Sequence, residues 1–224
     1  AMVTRKSKKQ PSTFNAVTVL GYRIGNQPME VAYSVRDRHP IADGPWMEEA
    51  DKVAWTDPAT GYPCIIRREQ PGGHLAGFVA IPTTHPLYGH DASVLATLGI
   101  RPHGGAGYAD ECMTEDPEET SVCHVRVLNL DPAGRSGGRH DDAWWFGFSC
   151  NTSFDIQPIS HEIEPAAISV GLEREYRDES YVMAHVIDLA AQLEAVARGE
   201  DVPPARAPGP PPIGLNPKGP KVAL

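Results

Sequence analysis

Residue types able to do chemistry crowd into the middle of this chain. Five of its nine histidines, His74, His85, His90, His103 and His124, lie between positions 74 and 124. Imidazole titrates near neutral pH, so each can serve as base, neutral metal ligand or hydrogen-bond partner. Four of the five sit at strand ends or in Gly/Pro-rich loops, such as HPLYGHD (85–91) and HGG (103–105). Loops held by a scaffold are where sites collect. Gly104 and Gly105 add a backbone feature, since two missing side chains let amides approach an anion or a carbonyl oxygen. Asp141, Asp142 and Asp155 flank an aromatic run, WWFGF (144–148). Acids near histidines can hold a divalent metal or act as base and orienter. On a strand Trp144 and Trp145 face opposite ways. One belongs to the core, and the other is a stacking platform or the core of a second face. For any one of these residues the bland alternative is a structural histidine or a solvated loop acid.

The expectation is that His85, Tyr88, His103, Gly104, Gly105, Trp145 and Asp155 converge on one ligand pocket. His103 would contact the ligand there, and Asp155 would orient a histidine or touch the ligand. No cofactor is predicted. A divalent metal is compatible with the residue types, and its weak candidate ligands are His85, His103, His124 and Asp155.

Other chemistries lack their signatures. The chain has no GxxxxGK[ST], HExxH or GxSxG, and GGAGYA (104–109) lacks the GxGxxG spacing. Cys123 and His124 are adjacent, so on a strand they face apart and cannot pair as nucleophile and base. Cys64, Cys112, Cys123 and Cys150 form no CxxC pair, so they are expected to be free, mostly buried thiols, with zinc only weakly signalled. The formal net charge of -9 argues against non-specific nucleic-acid binding. A basic arm carrying Arg5, Lys6, Lys8 and Lys9 is the one local exception. No run approaches the roughly 18 apolar residues of a membrane span, and no apolar stretch follows the first basic residues. A cytoplasmic protein without membrane partners is expected.

The elements that must position these residues follow from periodicity and turn signals. Residues 1–13 read as a disordered basic arm, 14–199 as one domain, and 200–224 as a Pro-rich flexible tail. Two β-leaning runs, 16–20 and 31–35, flank Gly25-Asn26-Gln27-Pro28 as in a hairpin connection. A short helix is expected over 46–55. Strands over 64–68 and 74–82 are joined by the turn QPGG (70–73). Asp91 caps a short helix that ends at Gly99. An acidic loop covers 110–119, a strand 122–130, a glycine-containing loop 131–142, and the Trp strand, expected at the centre, 143–150. Asp178 caps the clearest helix, where Val182, Val186, Leu189, Leu193 and Val196 form one apolar stripe and Gly199 is the stop. The fold class predicted is α+β, a mainly antiparallel sheet with one long C-terminal helix packed on it.

With these residues in place, the chain resembles a family of uncharacterised phage and prophage-associated bacterial proteins, over about residues 45–198. The matching pieces, in order, are GPW (44–46), DKVAW (51–55), TGYPC (60–64), GHLAGF (73–78), HPLYG (85–89), HGG (103–105), CHV (123–125), WWFGF (144–148) and YRDESYV (176–182). The family pattern reads GFDC-x-H-x-x-D after the tryptophans, and often has Cys where Ala76 stands. Here Ser149 takes the Asp place and Thr152 the His place, while Cys150 and Asp155 match. Neither hydroxyl replaces a charged ligand, but both can hydrogen-bond. The resemblance therefore implies a phage-type accessory protein, in the host cytoplasm if phage-encoded. It would bind a small polar, nucleotide-like ligand and sequester a host signal. A hydrolase using a His/Asp cluster, metal-dependent or not, is the first alternative. A protein–protein inhibitor with structural histidines is the second. A homo-oligomer is left open.

Overall fold

The strand signals pair almost wholly with their neighbours in the chain. The computed structural model describes residues 15–113, 115–124, 142–159 and 174–209. The strands are β1 (Ala16–Thr18), β2 (Arg23–Ile24), β3 (Gln27–Pro28), β4 (Val31–Val35), β5 (Lys52–Thr56), β6 (Pro63–Arg68), β7 (Leu75–Ile81), β8 (Tyr108–Glu111) and β9 (Trp144–Ser149). Helix α1 spans Ser93–Thr97 and α2 spans Glu179–Arg198. Seven strands form one sheet in the order β1-β4-β5-β6-β7-β9-β8, and every pairing in it is antiparallel. The β2–β3 ribbon lies within the connection from β1 to β4. The long helix packs across β6 and β7, which makes the fold α+β.

Alternation assigns each strand residue to a face. Val53, Trp55, Cys64, Ile66, Leu75, Val79, Phe146 and Phe148 face α2 and pack with its Val182, Val186, Leu189 and Leu193. Ala54, Ile65, Ala76, Phe78 and Trp145 face the other way, into a second core covered by Cys112, Val122 and Cys123. At the junction of β7 and β9, Gly77 is opposite Phe148 and Phe78 is opposite Gly147. Each ring lies over the facing glycine, so a Cβ on Gly147 would stand 2.3 Å from the Phe78 ring. What approaches Gly147 is thus a cross-strand aromatic.

Helix α2 begins and ends where the chain signals it. The Asp178 carboxylate accepts from the Tyr181 amide (2.8 Å), and Gly199 closes the helix at φ 67. At α1, Asp91 accepts from the Ser93 amide (2.9 Å) and Gly99 takes φ 77.

Several expectations are corrected. Residues 46–55 form no helix: a 3-10 turn, Pro45–Glu48, leads into β5. Strand pairing on both sides of β5 overrides the local helical lean. The Trp strand is next to the sheet edge rather than central, because β8 forms inside the stretch read as a glycine-rich and acidic loop. Cys112 and Cys123 are disulfide-bonded, with Cα atoms 4.9 Å apart, whereas Cys64 and Cys150 are free and buried. Residues 122–124 are not strand, and 125–130 lie outside the described residues, as do the basic arm 1–13, His140 and Asp141. The first part of the tail is held against α2. Gln192 donates to the Pro203 carbonyl (2.9 Å), and Asp188 accepts from the amides of Arg206 (2.8 Å) and Ala207 (2.7 Å). Proline removes donors from a chain but leaves its carbonyls, and the helix uses one here. Residues 210–224 lie outside the description. Among the described residues no helix is long and apolar enough to cross a membrane.

Leu189 is fully buried beneath the sheet. Leu189→Ala is expected to lower the unfolding free energy by about 2–5 kcal/mol, read from denaturant midpoints. A change within about 0.5 kcal/mol, as at an ordinary surface site, would show that this face of α2 is not core.

Candidate functional site

The HGG segment is a tight turn that only glycine can make at two successive positions. Gly105 donates to the Pro102 carbonyl (2.8 Å), with Gly104 at φ 67 and Gly105 at φ 85. These left-handed values strain any residue bearing a Cβ. A Cβ on Gly104 would also stand 3.0 Å from Thr152 Cγ2. The chain then enters β8, where Gly107 donates to the Gly147 carbonyl (3.0 Å).

Behind this turn His103 is 1% exposed, with both ring nitrogens engaged. Nε2 is 2.7 Å from Asp155 Oδ2, and Nδ1 is 2.7 Å from the Tyr181 hydroxyl. A carboxylate only accepts, so Nε2 carries the proton and Tyr181 serves Nδ1. Asp155 also accepts from Arg177 Nε (2.9 Å), from the Thr152 amide (2.8 Å) and from the Thr152 hydroxyl (2.7 Å). Arg177 is brought there by a bridge between Asp155 and Glu175, just before α2, and its guanidinium lies over the Tyr181 ring at 4.8 Å. Burial by itself would raise the Asp155 carboxyl. Hydrogen bonds from His103, Arg177 and Thr152 outweigh it and hold the group down at about 2.

His185, one helical turn after Tyr181, extends the chain of contacts. Its Nδ1 accepts from the His103 amide (3.2 Å), and its Nε2 donates to the Pro208 carbonyl (2.8 Å). That pair of bonds fits only the neutral ring. Burial lowers the His185 pKa and the nearby His103 lowers it further, partly offset by the Pro208 carbonyl.

On the other side of the turn, on the face away from α2, a cleft of about 330 Å³ opens at the end of β9. Gly104, Gly105 and Gly107 form one rim, and Ser149, Asn151 and Thr152 another. Phe78 and Tyr108 give it apolar surface, Phe148 borders it with its ring turned to the α2 side, and Arg67 and Glu69 close the last side. The Tyr108 hydroxyl is buried without a hydrogen-bond partner among the described residues, and burial pushes its pKa up to about 12.

The structure brings Asp155, His103, Gly104 and Gly105 together and places the other expected residues elsewhere. His85 donates from Nε2 to the Leu193 carbonyl (2.8 Å) and accepts at Nδ1 from the Leu87 amide (3.0 Å), near the far end of α2. Tyr88 packs on Trp144 (5.8 Å) at the start of β9, the end opposite the cleft. Trp145 is fully buried in the second core, so it is that face's core residue and not a stacking platform. His124 stands between Glu30 Oε2 (2.8 Å) and Glu118 Oε1 (3.3 Å), on the segment that covers the helix-free face. His103 itself reaches no open space and positions the turn instead. Among the described residues no three His, Cys, Asp or Glu side chains converge as a metal site would require, and of the weak candidates only His103 and Asp155 meet. No family model matches the chain, and no curated protein or solved structure does.

Residue-type reasoning overlooked Tyr181, His185, Arg177, Arg67 and Tyr108. A signal existed for two of them: Tyr181 and His185 are spaced i, i+4 beside an apolar helix stripe, so they share a buried-side face. Nothing local marked Arg67 or Tyr108, whose roles depend on strand pairing.

Two outcomes are expected. His103→Ala leaves a buried carboxylate short of one partner and should cost about 3 kcal/mol, visible as a lowered denaturation midpoint. A fully stable variant would show that the buried node is dispensable. His185 has a folded pKa below its unfolded value near 6.5. The unfolded chain therefore binds the extra proton, and stability falls as pH drops through and below that value. Denaturant midpoints from pH 8 to 5 should slope less in His185→Asn than in wild type. The Asp155 contribution is lost in a separate window, between about 3.8 and about 2.

Proposed function

We propose that this chain is a phage-type accessory protein that binds a small polar, nucleotide-like ligand in the cleft beside the HGG turn. The observation that carries the reading is the cleft itself, with the buried, unpartnered Tyr108 hydroxyl among its lining residues. A polar group buried without a partner costs free energy that a ligand can recover. The cleft volume lies at the small end of ligand sites, about 300–1,000 Å³. Ser149 and Thr152, where the resembled family has charged groups, both line it. A cavity walled by hydroxyls, an amide and aromatic rings suits binding better than bond cleavage. The phage-type resemblance supplies only the context, in which a protein binding such a ligand could act by sequestering a host signal in the host cytoplasm. The Cys112–Cys123 bridge weighs against that compartment, since such bridges persist best where conditions oxidise.

The hydrolase alternative draws support from the Tyr181–His103–Asp155 chain of hydrogen bonds. That chain is closed on itself and buried, which keeps it from acting on a substrate.

The reading is tested by thermal melts of the full chain with a panel of free bases, nucleosides and mononucleotides. At least one should raise Tm, and Tyr108→Phe should shrink that rise. If none shifts the melt, the cleft is not a site for this class.

A further inference from the structure

We infer that the cleft selects an uncharged hydrogen-bonding heterocycle, a nucleobase or nucleoside, over its phosphorylated form. This rests on the cleft being the binding site, and concerns which ligand class it takes. The argument is electrostatic first. Arg67 is the single cation among the described lining residues, and it is already committed. Its Nε and Nη2 both bond Glu69 Oε1, at 2.8 and 2.7 Å, and its Nη1 donates to the Thr120 carbonyl (3.0 Å). Its guanidinium also lies 5.3 Å from the Phe78 ring centre. A phosphate reaching Arg67 would have to displace Glu69 and then sit beside that carboxylate. The wider field has the same sign, since Asp110, Glu69 and Asp116 all act on the Tyr108 hydroxyl against Arg67.

Among the described residues, the groups left for a ligand are neutral. The Tyr108 hydroxyl is buried without a partner, and the Ser149 hydroxyl and the Asn151 carboxamide have no hydrogen-bond partner among the described residues. A carboxamide offers one acceptor and two donors from one plane, the pattern that pairs with the edge of a base. The half-buried Tyr108 ring, edge-on to Phe78 at 5.2 Å and 87°, supplies an apolar surface for a planar ring.

The test is calorimetric titration of the full chain with four nucleosides, their 5′-monophosphates and inorganic phosphate. One nucleoside or more should bind, and the matching monophosphate should bind at least tenfold more weakly. Asn151→Ala, at an exposed position, should keep the wild-type circular dichroism and weaken the nucleoside at least tenfold. Glu69→Gln should narrow the gap between nucleoside and monophosphate. If a monophosphate or inorganic phosphate binds as tightly as any nucleoside, and Asn151→Ala weakens it, the inferred class is overturned while the cleft stands as the site. If a nucleoside binds but Asn151→Ala leaves it unchanged, the inferred contact is overturned. If nothing binds, the inference fails together with the reading beneath it.

Discussion

The carboxylate of Asp155 is the point on which the rest of the site depends. It is 2% exposed and accepts from His103, Arg177 and Thr152. Those partners come from three stretches that the sequence keeps well apart: the HGG turn, the exit from β9 and the entry to α2. A buried charge without partners costs several kcal/mol, so the carboxylate makes the three positions interdependent. The turn cannot shift without uncovering the charge. Nor can Thr152 move off Gly104 without losing two of the bonds that hold Asp155 ionised. The cleft wall is thus fixed from behind by His103, Arg177 and Asp155, with Thr152 as the one member that also faces the cleft.

The sheet makes this arrangement possible. Pairing β7 with β9 sets Phe78 over Gly147 and Phe148 over Gly77, one on each face. With Val186 also against Gly77, the helix comes close to the sheet just where Tyr181 and His185 must reach the turn. A larger side chain at Gly77 would force α2 outward and pull both ring contacts from His103. Packing on the helix side and the geometry of the cleft on the opposite side are therefore linked through two adjacent Gly–Phe cross-strand pairs.

Much of the fold was legible because its signals are local. The α2 stripe of Val182, Val186, Leu189 and Leu193 needs only a period near 3.6, and Asp178 and Gly199 mark its ends by their own chemistry. The β6–β7 hairpin is announced by its turn. The strand β8 was not legible, since Tyr-Ala-Asp-Glu at a sheet edge has neither alternation nor a fully buried residue. Residues 46–55 misled in the opposite sense, being helix-like in composition and fixed as strand by partners far along the chain. At the site, HGG and Asp155 stood out by residue type, and their meeting is real. Residue type could not tell that His103 faces inward, because that depends on which side of the turn the helix covers. His85 and Trp145 failed to join them for the same reason: a face is assigned by pairing, and pairing is not local.

The buried histidines divide by how their nitrogens are used, and none of them is among the described residues that line the cleft. His85 and His185 each donate from Nε2 to a carbonyl and accept at Nδ1 from an amide, an arrangement available only to the neutral ring. Each therefore splices two backbone segments that lack a common strand or helix. For His185 the segments are the HGG turn and the chain at Pro208, which is itself aligned on α2 by Asp188 and Gln192. A lysine or glutamine could reach one such segment, but only an imidazole presents a donor and an acceptor rigidly on opposite edges of one small ring. Placed between the turn and the tail, that ring joins the Pro208 backbone to the backbone that rims the cleft, and a single added proton on Nδ1 would turn its acceptor edge against the His103 amide.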